Sequence, residues 1–420
     1  MREMKDSGIE WIGKIPEEWT KDKAIRLFNI IGSGTTPKNI TSDFPCVNWI
    51  QSGDINGSLI SSCKNNVSES IIAQYSALKI YAAPFIVIAM YGASVGNTSI
   101  SLIDGCVNQA CCVLSASIYN LNYAFYAIKS SQNYLIRKAI GGGQPNISQD
   151  TIKQLWLPLP ALHEQKRIAA FLDAECAEID AVLEKTRASI EEYKKLKQAV
   201  ITQAVTKGIR GDRPMKDSGI EWIGDIPVEW DVIRVKHLLK ERNERSKEGK
   251  EEPLSMSQKV GLVPTKFLES IPNMASSFVG AKLAYVDDLV FNKLKAHLGV
   301  FSVSRYDGLV SPDYAVYCST GKSNLKYLEY IFKTPQCIGE FRKKSTGIAA
   351  GLMRLYTEGL FSIYLPYPAL SEQEEIAEYL NEKCAGIDAL IVKKQQYLTE
   401  IENYKKSLIY EYVTGKKEVV

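Results

Sequence analysis

Two long segments of the chain repeat one pattern of apolar and polar positions. Residues 160–208 and 368–416 align without a gap at an offset of 208 positions. In each segment apolar side chains recur at alternating spacings of three and four, which predicts an amphipathic helix with a heptad seam. Proline occurs only as the first residue of each segment. The predicted seam residues are Ile179, Leu183, Ile190, Tyr193, Val200, Ile387, Ile391, Leu398, Ile401 and Leu408.

A helix of this length with a single apolar stripe needs a partner. Each segment should form a helix of about 40 residues, hence about 60 Å long at ~1.5 Å per residue. The length, and the charged residues on the other faces, disfavour an ordinary buried helix. The nearest partner for each segment is its own copy, so the pattern predicts an intramolecular coiled coil.

A shorter repeat begins each half of the chain. MKDSGIEWIGKIPEEW at residues 4–19 and MKDSGIEWIGDIPVEW at residues 215–230 are identical at 14 of 16 positions. Glycine and proline among large apolar residues predict a compact turn element docked on an apolar surface. The motif could bind a partner or could clasp a domain to a helix end. If the two copies are related by a two-fold axis with antiparallel helices, the first motif lies beside residues 413–416.

The regions between these repeats differ in sequence but not in kind. In residues 20–155, segments 46–50, 84–92 and 109–116 predict strands and segment 122–140 predicts a helix. In residues 231–364, segment 235–250 predicts a charged helix and the following segments at least three strands. Both regions therefore predict a mixed α+β domain. Because the repeats are nearly identical while the regions between them have diverged, we interpret these regions as two modules that carry out different tasks of the same kind.

This organisation divides the chain into four parts. Residues 1–158 hold the first motif and module, residues 159–208 the first spacer helix, residues 209–366 the second motif and module, and residues 367–420 the second spacer helix.

Composition narrows the class of protein. Of the residues, 45% are hydrophobic and 24% charged, which is typical of a globular chain. Nine cysteines without a CxxC pair and three histidines favour neither a zinc site nor a disulfide framework. The start of the sequence has no apolar leader, and no run of 18 apolar residues occurs. We therefore expect a cytoplasmic protein without a membrane partner.

The net charge of +3 hides an uneven distribution. Basic residues exceed acidic ones by four in residues 20–155 and by six in residues 231–364, whereas the remainder is acidic. Two basic modules on an acidic frame would suit contact with a polyanion at two places. Solvated lysines on two ordinary domains explain the same excess.

The sequence lacks the motifs of a catalytic subunit. It has no GxxxxGK[ST] phosphate loop, no glycine motif after a strand for S-adenosylmethionine, no Asn-Pro-Pro-aromatic run and no HExxH. The adjacent Asp287 and Asp288 are interpreted as solvated turn residues. We expect no catalytic residue, no bound metal and no cofactor in this chain.

Several of these motifs together resemble one family. GIEWIGKIPEEW, GIEWIGDIPVEW, LPLPALHEQKRIAAFLD and LPYPALSEQEEIAEYLN, with SGTTP, NQACCVL and GLVSPDYAVY inside the modules, are similar in content and order to the specificity (S) subunit of type I restriction-modification systems. The resemblance covers the whole chain. It implies an α+β fold in which two α/β target-recognition domains are separated by two long antiparallel helices that form a coiled coil, with a pseudo-two-fold internal repeat.

The resemblance also implies a function and partners. The chain would be a non-catalytic subunit that binds an asymmetric, bipartite target in double-stranded DNA, with the helix length setting the gap between the two parts. Two methylation (M) subunits and the restriction and translocation (R) subunits would supply adenine methylation and cleavage. S-adenosylmethionine, ATP and Mg would bind those partners. The alternative is a coiled-coil protein-interaction scaffold without sequence-specific DNA binding.

Candidate base contacts are chosen by residue type on predicted loops. Arg and Lys suit guanine, and Asn and Gln suit adenine, although any one of these residues could equally be a surface or turn residue. The candidates are Lys38, Gln51, Asn97, Gln144 and Asn146 in the first module, and Gln258, Lys259, Lys293, Lys295, His297 and Arg354 in the second.

Overall fold

The computed structural model describes residues 2–38, 45–140, 145–258, 260–268, 277–347 and 353–419. It divides the chain into two compact units. Unit 1 combines Met1–Arg187 with Gln396–Val420, and unit 2 is Ala188–Gln395. This division differs from the four parts drawn from the sequence, because each unit takes one module together with stretches of both long helices.

The described residues of unit 1 form four sheets and the start of the first long helix. Its strands are β1 (Met4–Asp6), β2 (Lys14–Pro16), β3 (Thr20–Lys23), β4 (Phe28–Ser33), β5 (Cys46–Ile50), β6 (Leu59–Ile60), β7 (Asn65–Ser68), β8 (Phe85–Ala89), β9 (Thr98–Ser101), β10 (Gly105–Val107), β11 (Cys111–Ser117) and β12 (Trp156–Leu159). Its helices are α1 (Ala24–Leu27), α2 (Glu69–Ile72), α3 (Leu121–Ser130), α4 (Gln132–Lys138), α5 (Gln149–Lys153) and α6 (Leu162–Lys207), the last of which continues into unit 2.

The main sheet of unit 1 has the strand order β4-β11-β8-β9-β6, and a second sheet has the order β10-β5-β7. Strand β8 is buried at every position. Ile86 and Ile88 pack in a cluster with α3, whereas Phe85 and Val87 pack in a separate cluster on the other face, with residues of β5 and β10. The continuous apolar run at this strand thus follows from burial of both faces.

Unit 2 repeats this plan with fewer strands in its main sheet. Its strands are β13 (Met215–Asp217), β14 (Asp225–Pro227), β15 (Asp231–Arg234), β16 (Leu239–Arg242), β17 (Leu254–Ser257), β18 (Gly261–Pro264), β19 (Lys282–Ala284), β20 (Leu289–Asn292), β21 (Phe301–Val303), β22 (Gly308–Val310), β23 (Tyr314–Ser319) and β24 (Tyr364–Tyr367). Its helices are α7 (Leu325–Phe332), α8 (Pro335–Lys344), α9 (Thr357–Phe361) and α10 (Leu370–Val413), the last of which continues into unit 1. The main sheet has the order β16-β23-β20-β21.

Within each unit the two long helices run antiparallel. In unit 1 the rings of Phe171 and Tyr412 lie 4.4 Å apart, and Asp180 pairs with Lys405 at 2.6 Å. In unit 2 Lys197 pairs with Asp388 at 2.6 Å, and the Lys394 ammonium lies 5.6 Å from the Tyr193 ring centre. Residue numbers rise along α6 as they fall along α10. The expected α+β fold class with long antiparallel helices is confirmed.

The predicted seam residues differ in burial. Leu183, Ile190 and Leu408 are buried. The other predicted seam residues, Ile179, Tyr193, Val200, Ile387, Ile391, Leu398 and Ile401, are partly buried.

The short repeat folds as a small hairpin in each unit. In unit 1, β1 pairs with β2, and Ile12 and Trp19 are buried. The backbone carbonyl of Ile12 accepts hydrogen bonds from the Tyr410 hydroxyl at 3.1 Å and the Lys416 ammonium at 3.2 Å. The predicted position of this motif beside residues 413–416 is confirmed, and these contacts favour the clasp interpretation.

Two predictions for unit 2 are wrong. Residues 235–250 do not form a helix, because the chain makes one 3₁₀ turn at Val235–His237 and then pairs as β16 with β23. Asp288 is not solvated, since it is 2% exposed and accepts hydrogen bonds from Arg242 Nε at 2.8 Å and from the backbone N–H of Tyr285 at 2.9 Å. A buried carboxylate needs such partners.

Candidate nucleic-acid interface

Each module is closed by the same backbone contacts at its base. In unit 1, β3 pairs with β12 and the Ala24 N–H donates to the Leu155 carbonyl at 2.8 Å. In unit 2, β15 pairs with β24 and the Val235 N–H donates to the Ile363 carbonyl at 2.9 Å. We therefore define module 1 as residues 24–155 and module 2 as residues 235–363.

Module 1 is fixed to α6 by a Glu-Gln pair in the first turn of that helix. Trp19 Nε1 donates to Glu164 Oε2 at 2.9 Å. The amide oxygen of Gln165 accepts from the backbone N–H of Asn120 at 2.8 Å, and Asn120 caps α3 by accepting from the Tyr123 N–H. Asparagine is favoured at this capping position because its side chain satisfies a free N–H of the first turn.

Module 2 is fixed to α10 by the equivalent contacts. Trp230 Nε1 donates to Glu372 Oε2 at 3.0 Å, and the amide oxygen of Gln373 accepts from the Asn324 N–H at 2.9 Å. Arg213 adds an ion pair to Glu372 at 2.6 Å, in which both side chains are at most 10% exposed. The glutamates of the sequence repeats thus attach the short repeats to the helices through Trp19 and Trp230, and the glutamines attach the modules.

A second bond ties each module to the end of the other long helix. In unit 1 the Tyr123 hydroxyl donates to the Val413 carbonyl of α10 at 2.8 Å. In unit 2 the Tyr327 hydroxyl donates to the Val205 carbonyl of α6 at 3.4 Å. Each module is therefore held by the first turn of one helix and the last turns of the other.

We call edge 1 the place in module 1 where the segments after β8, before β11 and before α5 meet. The Met90 N–H donates to the Ala110 carbonyl at 2.7 Å, and the Ile147 N–H donates to the Met90 carbonyl at 2.9 Å. Asn146 and Ile140 exchange two backbone hydrogen bonds of 3.0 and 2.9 Å. Asn146 is exposed, so edge 1 presents this amide from a fixed backbone.

Amide and hydroxyl groups surround edge 1. The Asn108 N–H donates to the Ile50 carbonyl at 3.2 Å, which brings the segment before β11 beside Gln51. Thr36 Oγ1 donates to Gln109 Oε1 at 2.6 Å, and both residues are exposed. Lys38 is exposed two residues further on. These hydrogen bonds join the segments that carry Lys38, Gln51 and Asn146, so the structure brings these three candidates into one region.

Edge 2 is the equivalent place in module 2. The Lys293 N–H donates to the Asp313 carbonyl at 3.3 Å, and the Leu355 N–H donates to the Lys293 carbonyl at 3.0 Å. Arg354 and Thr346 exchange two backbone hydrogen bonds of 2.9 and 3.0 Å. By these bonds Lys293 takes the place of Met90, Asp313 that of Ala110, and Arg354 that of Asn146.

Edge 2 is charged where edge 1 is neutral. The Arg354 guanidinium pairs with the Asp313 carboxylate at 3.3 Å, with the side chains 41% and 48% exposed. The Lys293 ammonium donates to the Pro312 carbonyl at 3.4 Å. Burial lowers the pKa of Lys293, and the neighbouring Lys282 ammonium lowers it further. Two cations and one carboxylate thus share this edge.

The remaining candidates fall into three groups. Asn97 is partly buried and its side chain is used inside module 1, because Oδ1 accepts from Gln132 Nε2 at 2.8 Å. His297 is also buried, which favours a structural role. Gln258 and Lys295 are exposed, and Gln258 Nε2 donates to the Leu298 carbonyl at 2.9 Å. Gln144 and Lys259 lie outside the described residues.

Sequence reasoning missed three polar residues of these edges, Thr36, Gln109 and Asp313. An amide directly before the apolar run of β11 was a usable signal for Gln109. No spacing rule pointed to Asp313, because its role depends on the segment that carries Arg354.

The part of the chain that the structure describes holds no group of three or more His, Cys, Asp or Glu residues able to bind a metal ion. Within the same residues, no helix combines the length and apolar character needed to cross a membrane.

Comparison with known proteins shows what this chain is similar to. Residues 16–192 match the sequence model of the type I restriction modification DNA specificity domain. The MjaVIII specificity subunit, a type I restriction enzyme subunit of Methanocaldococcus jannaschii, is 25% identical over 315 residues, which span 71% of this chain and 70% of that protein. The chain thus contains a type I DNA specificity domain and resembles type I specificity subunits over most of its length.

A second curated protein and a solved structure are also similar to this chain. The putative MjaX specificity subunit of the same organism is 28% identical over 300 residues, covering 69% of this chain and 65% of that protein. A solved chain from work on complex assembly and conformational transition of the type I R-M system has a TM-score of 0.72 at 15% identity, covering 96% of this chain and 99% of that chain. At this identity the structural match shows the fold alone.

The matched domain model is named for DNA specificity, and the curated relatives are named as specificity subunits of type I restriction enzymes. The family resemblance predicted from the sequence is confirmed, and the scaffold alternative is not favoured.

Proposed function

We propose that this specificity subunit recognises an asymmetric DNA target in two parts, separated by base pairs that are not read. Module 1 binds one part and module 2 binds the other. The subunit thereby directs adenine methylation, and cleavage of unmethylated DNA, by partner subunits.

The observation that carries this proposal is the repetition of one hydrogen-bonded edge with two sets of side chains. Edge 1 offers the amides of Asn146 and Gln109, whereas edge 2 offers Arg354 and Lys293. Amides pair well with adenine, and Arg or Lys pairs well with guanine, in the major groove. Two edges of different chemistry on one chain would read two different sequences.

Charge supports contact with DNA at both modules. Basic residues exceed acidic ones by four in residues 20–155 and by six in residues 231–364. Lysine and arginine near phosphates release counterions, which gives affinity without sequence preference. The edges would add the preference for particular bases.

The reaction chemistry belongs to the partners in this proposal. Two methylation subunits would bind S-adenosylmethionine, and restriction subunits would bind ATP and Mg and move or cut the DNA. Because its target is chromosomal DNA, we propose that the subunit is located in the cytoplasm. The assembly named for the solved neighbour, a type I R-M complex, supports the expectation of such partners.

Mapping of methylated adenines in cells tests the proposal. Cells that carry this chain with its methylation subunits should show methylation at one asymmetric two-part motif with a constant gap. Cells that lack only this chain should lose that methylation. A contiguous motif, a palindromic motif, or methylation that persists without the chain would contradict the proposal.

A binding series on purified protein adds an independent measure. The affinity of the full chain for random duplex DNA should fall steeply as salt concentration rises, because phosphate contacts are lost. A flat response would support the scaffold alternative.

A further inference from the structure

Edge 2 fixes one donor and one acceptor side by side. The backbone of Arg354 is held by its two hydrogen bonds with Thr346, and the backbone of Asp313 is held by the bond from Lys293. Their side chains meet at 3.3 Å and both remain partly exposed. The pair is therefore a preformed surface unit carrying a guanidinium and a carboxylate.

Stability alone gives little reason for this ion pair. An exposed pair contributes only about 0.2–1 kcal/mol. A carboxylate that faces DNA also repels the phosphates. An acidic residue at an edge proposed to contact DNA is thus unfavourable unless it accepts a hydrogen bond from a base.

The donor and acceptor pattern of the pair matches one kind of base pair. In the major groove guanine presents the acceptors N7 and O6, and the paired cytosine presents its N4 amino donor. An A·T pair presents the adenine N6 amino group next to N7, which would oppose a second guanidinium donor.

We propose, resting on the proposed function, that Arg354 and Asp313 together read one G·C base pair in the half-site bound by module 2. Arg354 donates to O6 and N7 of guanine, and Asp313 accepts from the N4 amino group of the paired cytosine. Module 1 has Asn146 and Ala110 at the equivalent positions, so it does not present this pattern. The two half-sites therefore differ at this place.

Lys293 adds a positive charge behind the pair. Its ammonium is held at the carbonyl of Pro312, one residue before Asp313. The cation offsets the repulsion between the Asp313 carboxylate and DNA, and it keeps this segment in place.

The test uses the methylating complex with the full chain and duplexes altered at one base pair. The half-site of module 2 should contain a G·C pair that tolerates no replacement. Replacing its guanine by 7-deazaguanine removes N7 and should weaken binding by the wild-type complex about 5- to 100-fold, in line with the ~1–3 kcal/mol of a bidentate contact. The complex with Arg354→Ala should bind both duplexes equally.

Asp313 has its own probe. N4-methylcytosine in the paired strand places a methyl group where the carboxylate would accept, so it should weaken wild-type binding. The same change should have no effect on the Asp313→Ala complex. Lys322→Ala serves as a matched control, because it removes an exposed charge beyond the opposite end of β23 and should leave both responses unchanged.

The outcomes separate this inference from the proposed function. If a two-part motif exists but the modified bases have no effect on the wild-type complex, the base-pair assignment is wrong and the proposed function stands. If Arg354→Ala weakens binding equally at all target sequences, the residue contacts phosphate and the assignment is also wrong. If no two-part motif exists, the proposed function itself fails. The modified duplexes act on the wild-type protein, so the test does not depend on the folding of a variant.

Discussion

Edges 1 and 2 share a backbone and differ in chemistry. The three backbone contacts that define edge 1, around Met90, Ala110 and Asn146, recur at edge 2 around Lys293, Asp313 and Arg354. Module 1 thus has apolar, small and amide side chains at the three positions where module 2 has charged side chains. The difference shows that the fold positions the edge through main-chain bonds, which leaves its side chains free to vary between the two modules.

The anchors of the modules show the opposite trend. Trp19 with Glu164 and Trp230 with Glu372 make the same bond in both units. The ion pairs of these glutamates differ in burial. Arg213 and Glu372 are 10% and 8% exposed, whereas Arg2 and Glu164, which form the equivalent pair, are 25% and 13% exposed. The same type of bond attaches both units to their helices, but we expect the more buried pair in unit 2 to contribute more to stability.

Exchange of modules tests the comparison most severely. We expect that replacing residues 235–363 by a second copy of residues 24–155 converts the target into two copies of the half-site read by module 1. The replacement is compatible with the frame because each module is closed by one backbone bond next to an equivalent pair of strands. Mapping of methylated adenines measures the result, and an unchanged motif would show that the modules do not read the DNA.

Loss of the buried anchor should have a large effect on stability. Glu372→Ala leaves Arg213 with only the more exposed Glu229 at 3.3 Å and leaves Trp230 Nε1 without its acceptor, so the free energy of unfolding of unit 2 should fall by about 3–5 kcal/mol. Glu164→Ala acts on the more exposed pair in unit 1, where a loss of about 1–3 kcal/mol is expected. Hydrogen exchange of amides in each unit measures both changes.

The exposed neighbour Glu374 provides the control for this pair of variants. Glu374→Ala should change the stability of unit 2 by less than about 0.5 kcal/mol. Equal losses for Glu164→Ala and Glu372→Ala would refute the inferred difference between the two anchors.

The pH dependence of unit 1 should depend on Lys129. Burial and, to a smaller extent, the Lys405 ammonium lower the pKa of this lysine to about 8. Between pH 8 and the ordinary lysine pKa of about 10.4, the unfolded chain binds this proton and the folded chain does not. The free energy of unfolding of unit 1 should therefore rise with pH in that window, by about 1–3 kcal/mol.

Amide exchange corrected for its intrinsic pH dependence, or urea unfolding at pH 7.5 and 9.5, measures this rise. Unit 2 offers the comparison, because the equivalent Lys333 forms an ion pair with Glu329 at 2.5 Å. Lys129→Met should abolish the rise in unit 1. A rise that survives this substitution would assign the effect to another group.

The smallest expected effects are those of Asn97→Ala and Asn146→Ala. They distinguish an amide that bonds inside the module from one that contacts DNA in our proposal. Asn97→Ala removes the hydrogen bond from Gln132, so unit 1 should lose about 0.5–1.5 kcal/mol without any change in the DNA target. Asn146→Ala should leave stability nearly unchanged and relax one position of the half-site of module 1. Thermal unfolding and methylation mapping of both variants distinguish the two roles, and a changed motif for Asn97→Ala would reverse the assignment.

Local sequence patterns predicted the frame of the molecule well. The heptad spacing and the lack of internal proline placed α6 and α10 within a few residues of Leu162–Lys207 and Leu370–Val413. Both helices are specified by residues close in the chain. The repeated motif predicted the contact between Ile12 and the end of α10 only because it occurs twice.

Non-local pairing explains what the sequence did not reveal. Strand β16 carries charged residues typical of a helix, but β23 supplies its hydrogen-bonding partner from about 80 residues away. Asp288 looked solvated because its partner Arg242 lies 46 positions away in the sequence. Candidate base contacts were chosen by residue type alone. Asn97 and Asn146 were indistinguishable by that criterion until the structure showed which of them bonds inside the module.

Unit 1 is built from two separate stretches of the chain, and this determines the order in which the two units can fold during synthesis. Unit 2 is one continuous stretch, Ala188–Gln395, whereas unit 1 needs Gln396–Val420 as well as the first 187 residues. Tyr123 finds its acceptor Val413 only after Ala188–Gln395 has been synthesised. Unit 1 is thus the first to begin synthesis and the last to finish folding. The apolar surface that it buries against residues 396–420 stays exposed to solvent while unit 2 is synthesised.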